Sequence, residues 1–271
     1  MYPLPDPHVT KVRNPVAVFG SGAAIGLLGG LIGLGGAEFR LPLLIGLFGF
    51  GALEAVILNK AMSLVVVAAA LPFRASAVPF SSLAARWQIL ATLLAGSLIG
   101  AWLGADLATR LKSRTLYRVL AVLLLGIAVV LVWGHQTHAT GVPLLRGAAL
   151  AVVGAVLGLG IGLVAALMGV AGGELLIPTL VLLFGADLKI AGSLALAVSL
   201  PTMLVAFSRY SRDSSFSVIR AEGRFIAIMA AGSLLGAFLG GRLLGLVPTT
   251  WLLPVLAVIL VVSAVKIWRH S

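Results

Sequence analysis

Residues 33–42 read GLGGAEFRLP, a glycine-rich break that carries a carboxylate, a guanidinium and a proline inside otherwise apolar sequence. We call it the first break. A second break, GVAGGELLIP, occupies residues 169–178. In both, a glutamate follows a flexible dipeptide and stands four residues before a proline. We expect the function to lie where the two breaks meet.

The composition defines the class of protein. Hydrophobic residues make up 61% of the 271 positions and charged residues only 10%, and the mean hydropathy is +1.16. No water-soluble single domain approaches these values. The apolar runs have helical lengths and lack the alternation of an outer-membrane barrel. The sequence therefore predicts an all-α polytopic protein embedded in a lipid bilayer.

The formal net charge of +11 does not indicate nucleic-acid binding, because Lys and Arg cluster between the apolar runs as the positive-inside rule describes. No cysteine is present, which excludes disulfides, thiol catalysis and thiolate metal sites. The basic clusters are Arg110, Lys112, Arg114 and Arg118, and Arg209, Arg212, Arg220 and Arg224.

The apolar runs divide the chain into two sets of five segments. Residues 1–14 form a polar tail without a cleavable signal peptide, which we place in the cytoplasm. A hydrophilic linker at 135–145 separates a first repeat, 15–134, from a second repeat, 146–271. The segments of the first repeat are A (15–34), B (37–50), C (53–73), D (87–108) and E (116–133).

The two sets correspond at a constant offset of 136 residues. Gly36 maps onto Gly172, Glu38 onto Glu174 and Pro42 onto Pro178. The register continues past a loop, where Ala95-Gly96-Ser97-Leu98 matches Ala231-Gly232-Ser233-Leu234. A gapless register of this length indicates an internal duplication, which is common in transporters.

The orientation of the repeats depends on segment B, which rises only about 20 Å against a hydrocarbon core of about 30 Å. If all five segments cross, the odd count inverts the second repeat, and most basic residues fall on one side. If A and B form a re-entrant pair with one net crossing, the repeats are parallel and the charge distribution is slightly worse. We favour inverted repeats.

A glycine break inside a membrane helix predicts an anion site. The helix that restarts after the glycines presents free N–H groups and the positive end of its dipole. Irregular backbone in lipid is tolerated only inside protein or along a cavity, so two breaks predict one site near the midplane. The candidate substrate-binding residues of the breaks are Gly33, Gly35, Gly36 and Ala37, and Gly172 and Gly173. Pro42 and Pro178 are assigned a structural role.

Glu38 and Glu174 have two possible roles. A carboxylate at the bilayer centre costs about 2.5–3.5 kcal/mol, so an equivalent pair needs a reason. One reason is proton coupling, in which protonation neutralises the site during part of the cycle. The other is capping, in which each carboxylate stabilises the N-terminus of the helix that follows the break.

Arg40 and Lys60 occur in the first repeat only, because their equivalents are Leu176 and Leu196. Either cation attracts an anionic substrate or neutralises a glutamate, with pairing slightly favoured for Arg40; Lys60 has the further alternative of extending to the membrane interface. The remaining substrate-binding candidates are polar residues of the helices, although serine in membrane helices more often bonds to its own backbone or to a neighbouring helix. They are Asn59, Ser63, Ser193 and Ser199.

Other patterns indicate no cofactor and no metal. His135 and His138 have metal-like spacing but lie in the polar linker without a neighbouring carboxylate. The GLGIG run at 158–162 lacks the strand and acidic partner of a nucleotide fingerprint. It belongs with the glycines spaced by four, which allow close helix packing.

The duplicated breaks, each followed by a small-residue segment containing Ser-Leu (Ala61-Met62-Ser63-Leu64 and Gly192-Ser193-Leu194), resemble the sulfite exporter TauE/SafE family of membrane permeases. The similarity covers nearly the whole chain after Pro15. On the breaks, the matching residues are Gly33, Gly35, Gly36 and Pro42, with Gly169, Gly172, Gly173 and Pro178. Ala171 replaces one glycine, and the glutamates and Asn59-Lys60 are not part of the general pattern.

The resemblance implies secondary transport of small sulfur-containing or organic anions, such as sulfite or sulfonates, across a bacterial inner membrane. We expect alternating access around the breaks, with possible coupling to protons. A passive anion channel is the alternative, and it would conduct without a gradient of protons or sodium. An enzyme is not expected, since no base, nucleophile and orienting group cluster together. Substrate identity, transport direction and oligomeric state stay open.

Overall fold

The structure, a computed structural model, describes residues 14–32, 36–75, 78–134, 142–243 and 249–269. Within these ranges the regular structure is helical, without a strand. Six of the described helices are long and apolar enough to cross a membrane, and Pro15–Leu31 and Gly173–Leu182 are shorter apolar stretches. The predicted class, an all-α polytopic membrane protein, is confirmed.

The helices of the first half include two short ones. Helix α2 has ten residues and contains Pro42, and α4 has five residues. The bounds are α1 (Pro15–Ile32), α2 (Ala37–Gly46), α3 (Ala52–Ala75), α4 (Phe80–Ala84), α5 (Trp87–Arg110) and α6 (Ser113–Gly134).

The second half has the same order of long and short helices. Its helices are α7 (Gly147–Met168), α8 (Gly173–Leu182), α9 (Leu188–Tyr210), a 3-10 turn (Ser214–Ser217), α10 (Val218–Ala221), α11 (Gly223–Leu243) and α12 (Thr249–Arg269). Helix α8 begins and ends 136 residues after α2, and α9, α11 and α12 begin 136 residues after α3, α5 and α6. The sequence offset therefore coincides with helix boundaries.

Glycine sets the geometry of both breaks. Gly36 and Gly172 precede α2 and α8 with φ angles of 70° and 84°, and Gly169 ends α7 with a φ of 69°. This left-handed conformation is strained for residues with a Cβ atom. A Cβ added to Gly36 would also lie 2.5 Å from the Ile25 carbonyl oxygen. After the first break the chain therefore lies back against α1.

Glycines spaced by four hold the long helices together, as predicted. Helix α1 packs on α11, and α5 packs on α7. A Cβ added to Gly22, Gly26 or Gly30 would lie 2.4, 2.2 and 2.5 Å from the carbonyl oxygens of Met229, Ser233 and Ala237. The residue numbers of the contacting pairs increase in the same direction along both helices, so α1 and α11 run parallel. Gly96, Gly100 and Gly104 face Ala155, Leu159 and Leu163 in the same way, so α5 and α7 are parallel.

Helices α5 and α9 also run parallel, and polar contacts join them at two levels. The hydroxyls of Ser97 and Thr202 lie 2.8 Å apart in the buried part of the pair. At the C-terminal ends, Arg209 Nε donates to Asp106 Oδ1 at 3.0 Å, and Arg110 Nε lies 2.7 Å from Asp106 Oδ2.

Two neighbouring glycines of α7 test the role of close packing. A Cβ at Gly162 would lie 2.2 Å from the Ser97 carbonyl oxygen, whereas nothing lies within 4 Å of one at Gly160. We expect Gly162→Ala to destabilise the protein by about 1–3 kcal/mol through overpacking. Gly160→Ala should be neutral or stabilising by up to about 1 kcal/mol. Thermal unfolding in detergent, followed by tryptophan fluorescence, measures the difference, and equal stability of the two variants would contradict it.

Candidate functional site

Asn59 of α3 connects the two breaks. Its side-chain amide donates to the Ala37 carbonyl oxygen at 2.9 Å and to the Met168 carbonyl oxygen at 3.2 Å. Ala37 is the first residue of α2 and Met168 is the last residue of α7. The buried Asn59 side chain thus contacts both the start of α2 and the end of α7, the helix that precedes α8.

The carbonyl groups of the second break are paired with side chains from α3 and α9. Lys60 Nζ donates to Val170 O at 2.7 Å and to Ala165 O at 2.9 Å. Ser199 donates to Ala171 O at 2.8 Å, and Tyr210 to Ala166 O at 2.8 Å. Val170 O and Ala171 O are backbone groups that the break frees from the helix ladder, whereas Ala165 O and Ala166 O also accept the N–H groups of Val170 and Gly169.

Lys60 does not extend to the membrane interface, and that alternative is wrong. The side chain is 1% exposed because its ammonium is held by the two carbonyls at the end of α7. A cation at a helix C-terminus also interacts favourably with the helix dipole. Leu196, its equivalent in the second half, has no group for this role.

Arg40 is fully buried and is bound by neutral groups. Its Nη1 donates to Asn59 Oδ1 at 3.3 Å and to Ser63 Oγ at 3.2 Å, and its Nη2 donates to Ser233 Oγ at 3.2 Å. Its Nε has no hydrogen-bond partner among the described residues. Arg40 also lies within electrostatic range of Glu38. Its charge is therefore held in place by uncharged groups rather than by a direct bond to a carboxylate.

Glu38 and Glu174 are buried and face one another, with 1% and 4% of their surfaces exposed. Within the part of the chain that the structure describes, Glu38 Oε2 and both carboxylate oxygens of Glu174 lack a hydrogen-bond donor. Both residues lie in the first turn of a short helix, so the favourable dipole interaction remains. The Glu174 oxygens, however, bind none of the helix N–H groups. Lys60 lies within electrostatic range of Glu174.

The two prolines open the backbone next to the glutamates. Pro42 and Pro178 lie inside α2 and α8. Proline has no N–H, so the carbonyl four residues earlier loses its helical donor. In both helices that carbonyl belongs to the glutamate. Glu38 and Glu174 therefore each carry both a carboxyl group and a backbone carbonyl that lacks its helical hydrogen bond.

The other predicted residues are distributed unevenly. Ala37, Gly36, Gly172 and Gly173 are buried at the starts of α2 and α8. Ser193 donates to Lys189 O at 3.3 Å in its own helix, as serines of membrane helices often do. Gly33 and Gly35, like His135 and His138, lie outside the described residues.

Two residues of the site were not expected from the sequence. Ser233 binds Arg40, and Tyr210 binds Ala166 O in the last turn of α7, just before the second break. The signal for Ser233 was present in the repeated Ala-Gly-Ser-Leu element, since its equivalent, Ser97, also makes a buried contact between helices. No sequence signal distinguishes Tyr210 from an aromatic residue at a helix end.

No group of three or more histidines, cysteines, aspartates or glutamates suited to a metal ion occurs among the described residues. The charges of the candidate site come instead from Glu38, Arg40, Lys60 and Glu174.

Several apolar membrane-spanning helices around broken helices and buried charges are typical of secondary transporters. The chain belongs to the Sulfite exporter TauE/SafE family, whose model matches residues 18–267. The family is one of membrane transporters, as the sequence indicated. Neither the curated proteins nor the solved structures that were searched contain a significant match.

Replacing Lys60 tests whether its ammonium holds the second break. We expect Lys60→Met to destabilise the protein by about 1–3 kcal/mol, because the Val170 carbonyl loses its donor in a buried place. Tyr210→Phe is the matched control. It should cost less, since Ala166 O keeps the Gly169 N–H at 3.0 Å.

The measurement is thermal unfolding in detergent. If Lys60→Met were as stable as the parent, the ammonium would not be needed at the carbonyls and would be free to bind an anion.

Proposed function

We propose that this protein is a secondary transporter that moves small sulfur-containing or organic anions, such as sulfite or sulfonates, across the bacterial inner membrane by alternating access. One observation carries the proposal: two short helices, α2 and α8, begin in one buried region, where Glu38, Arg40 and Glu174 of these helices lie with Lys60 of α3. Helix N-termini and buried cations attract anions. The family supports the class of substrate.

The proposed architecture is a pair of inverted repeats. Gly36 lies against Ile25, in the middle of α1, and α2 then returns toward the start of α1. The rings of Phe48 and Phe50, after α2, lie 5.0 and 5.3 Å from the ring of Phe225, near the start of α11. Since α11 is parallel to α1, this is the side on which α1 begins.

Helices α1 and α2 then make no net crossing, and α3, α5 and α6 make three. An odd number places the start of α7 on the side opposite to the start of α1. The parallel contacts of α5 with α7 and with α9 agree with this path. The inversion comes from three crossings per half, rather than from the five expected when segment B also spans.

The distribution of charge supports a cytoplasmic location for the side on which α1 begins. On the proposed path this side carries the link between α5 and α6, the link between α9 and α11, and the C-terminal end of α12. Their basic residues include Lys112, Arg114, Arg212, Arg220 and Arg269. An excess of Lys and Arg marks cytoplasmic loops.

Single cysteines test the inversion, because the natural chain has none. Lys112 and Ser211 are both exposed in loops. We expect an impermeant maleimide to label Lys112→Cys and Ser211→Cys from the same side, the cytoplasmic one. Both cysteines should therefore react in inside-out vesicles and not in right-side-out vesicles. Arg146→Cys, in the loop before α7, should react from the other side. Labelling of positions 112 and 211 from opposite sides would indicate parallel repeats.

Proton coupling at Glu38 and Glu174 is part of the proposal. The two carboxyl groups face each other, and three of their four oxygens lack a donor within the described residues. Two ionised carboxylates that face each other in a buried site repel, and uptake of a proton removes this repulsion. A proton taken up with the substrate would also supply a missing donor.

Flux measurements in proteoliposomes test this role. With an imposed pH gradient, we expect sulfite accumulation by the parent protein and at least about a tenfold loss in Glu38→Gln and in Glu174→Gln, because an amide cannot take up the proton. Glu54→Gln is the control. Glu54 accepts from the Gly51 N–H at 3.1 Å near the end of α2, and the amide oxygen can keep that bond.

Unchanged pH-driven accumulation in both glutamine variants would remove the coupling role. Flux by the parent that neither saturates nor responds to any ion gradient would identify a passive channel instead.

A further inference from the structure

The buried charges around the two breaks balance. Glu38 and Glu174 contribute two negative charges when ionised, and Arg40 and Lys60 contribute two positive charges. Each carboxylate lies within electrostatic range of one cation, Glu38 of Arg40 and Glu174 of Lys60. These four side chains are the charged residues that are buried within the described part of the chain. With all four ionised, the centre is neutral.

Apart from Lys60, the charged residues on the helices packed against α2 and α8 lie near helix ends, including Arg114 and Arg118 near the start of α6. Glu54 binds Gly51 N at the start of α3, and the ammonium of Lys266 on α12 lies beside Gly46, the last residue of α2. Asp187 and Lys189 are exposed at the start of α9, and Arg209 binds Asp106 at its end. These groups lie away from the breaks, so the charge of the centre is set by the four buried side chains.

The two cations are already bound in ways that favour their charged forms. Arg40 donates to three neutral oxygens, and Lys60 donates to two backbone carbonyls. Loss of a proton from Lys60 would weaken both of its carbonyl bonds. Three of the four carboxyl oxygens of Glu38 and Glu174, in contrast, have no donor within the described residues that a proton would displace. Changes in the protonation of the centre therefore fall on the glutamate pair.

A net charge is costly near the middle of a bilayer, whether the transporter is empty or loaded. If all four side chains are ionised, the empty centre is neutral. The centre stays neutral when an anion with one negative charge binds together with one proton. It also stays neutral when an anion with two negative charges binds and both glutamates are protonated. Any other ratio leaves an uncompensated charge in the centre as it changes its access.

We propose that transport is electroneutral, with one proton moved together with the anion for each negative charge that the anion carries, up to two. The proposal rests on the proposed function, because it requires an anion site at the breaks. It adds the coupling ratio, which the family and the fold do not give. In this arrangement Arg40 and Lys60 act as fixed counter-charges, and Glu38 and Glu174 act as the variable ones.

The experiment separates the pH gradient from the membrane potential in proteoliposomes. The probes are isethionate, a sulfonate with a fixed single charge, and sulfoacetate, which carries two charges near neutral pH. Potassium gradients with valinomycin set the potential, and the internal and external pH are buffered independently. Each net charge moved per cycle would change the steady-state accumulation by about 50-fold per 100 mV.

We expect the potential to change accumulation of either probe by less than about twofold. A tenfold proton gradient should change the accumulation of isethionate about tenfold and that of sulfoacetate about 100-fold, since one and two protons are moved. Accumulation that follows the pH gradient but also changes about 50-fold with 100 mV would overturn electroneutrality and leave proton-coupled transport intact. Equal dependence of the two probes on the pH gradient would also overturn the ratio.

Loss of any response to the pH gradient would overturn both this proposal and the coupling on which it rests. The glutamine variants supply an independent reading. In Glu174→Gln only one variable charge remains, so the pH dependence of sulfoacetate accumulation should fall from about 100-fold to at most about tenfold. A variant that keeps the 100-fold dependence would show that Glu174 does not carry a proton.

Discussion

The structure depends on pairing the backbone carbonyls that a break in a membrane helix leaves open. In lipid no water is available to these groups, so other parts of the protein must donate to them. At the end of α7 and in the second break that follows it, the donors are Lys60, Asn59, Ser199 and Tyr210, on two helices that come from different halves of the chain. This pairing fixes the end of α7 and, through it, the start of α8. The position of the Glu174 carboxyl group follows from it.

Close helix packing makes this pairing possible. The pairs α1 with α11 and α5 with α7 approach until glycine Cα atoms meet backbone carbonyls, which leaves no room for larger side chains and draws polar groups of neighbouring helices together. Ser233 lies one turn from Gly236 on α11, and this places its hydroxyl next to Arg40 of the other half. The charged centre and the apolar packing are therefore not separate features, because the same helix faces supply both.

Much of the fold could be predicted from the sequence because duplication repeats local signals. The offset between Glu38 and Glu174 gave the correspondence of α2 and α8, and the four-residue spacing of glycines indicated their packing role. The sequence did not predict which residues contact each other. Periodicity identifies Gly22 as a contact residue, but it does not identify Met229 as the residue that Gly22 contacts. Lys60 shows the same limit. Its ammonium could extend to the membrane interface, bind an anion or bind the backbone. The outcome depended on where the carbonyls of residues 165 and 170 lie, and only the fold of the other half determines their position.

The exchange of contacts between the halves affects how the chain is made. Arg40 depends on Ser233, and Lys60 depends on carbonyls at residues 165 and 170, while α1 and α5 find their closest neighbours in α11 and α7. During synthesis the first half therefore enters the membrane before the carbonyls that bind Lys60, and one of the three groups that bind Arg40, have been made. The contacts of these two cations are complete only once the chain has been made as far as Ser233. Neither half alone supplies every partner of its buried charged side chains.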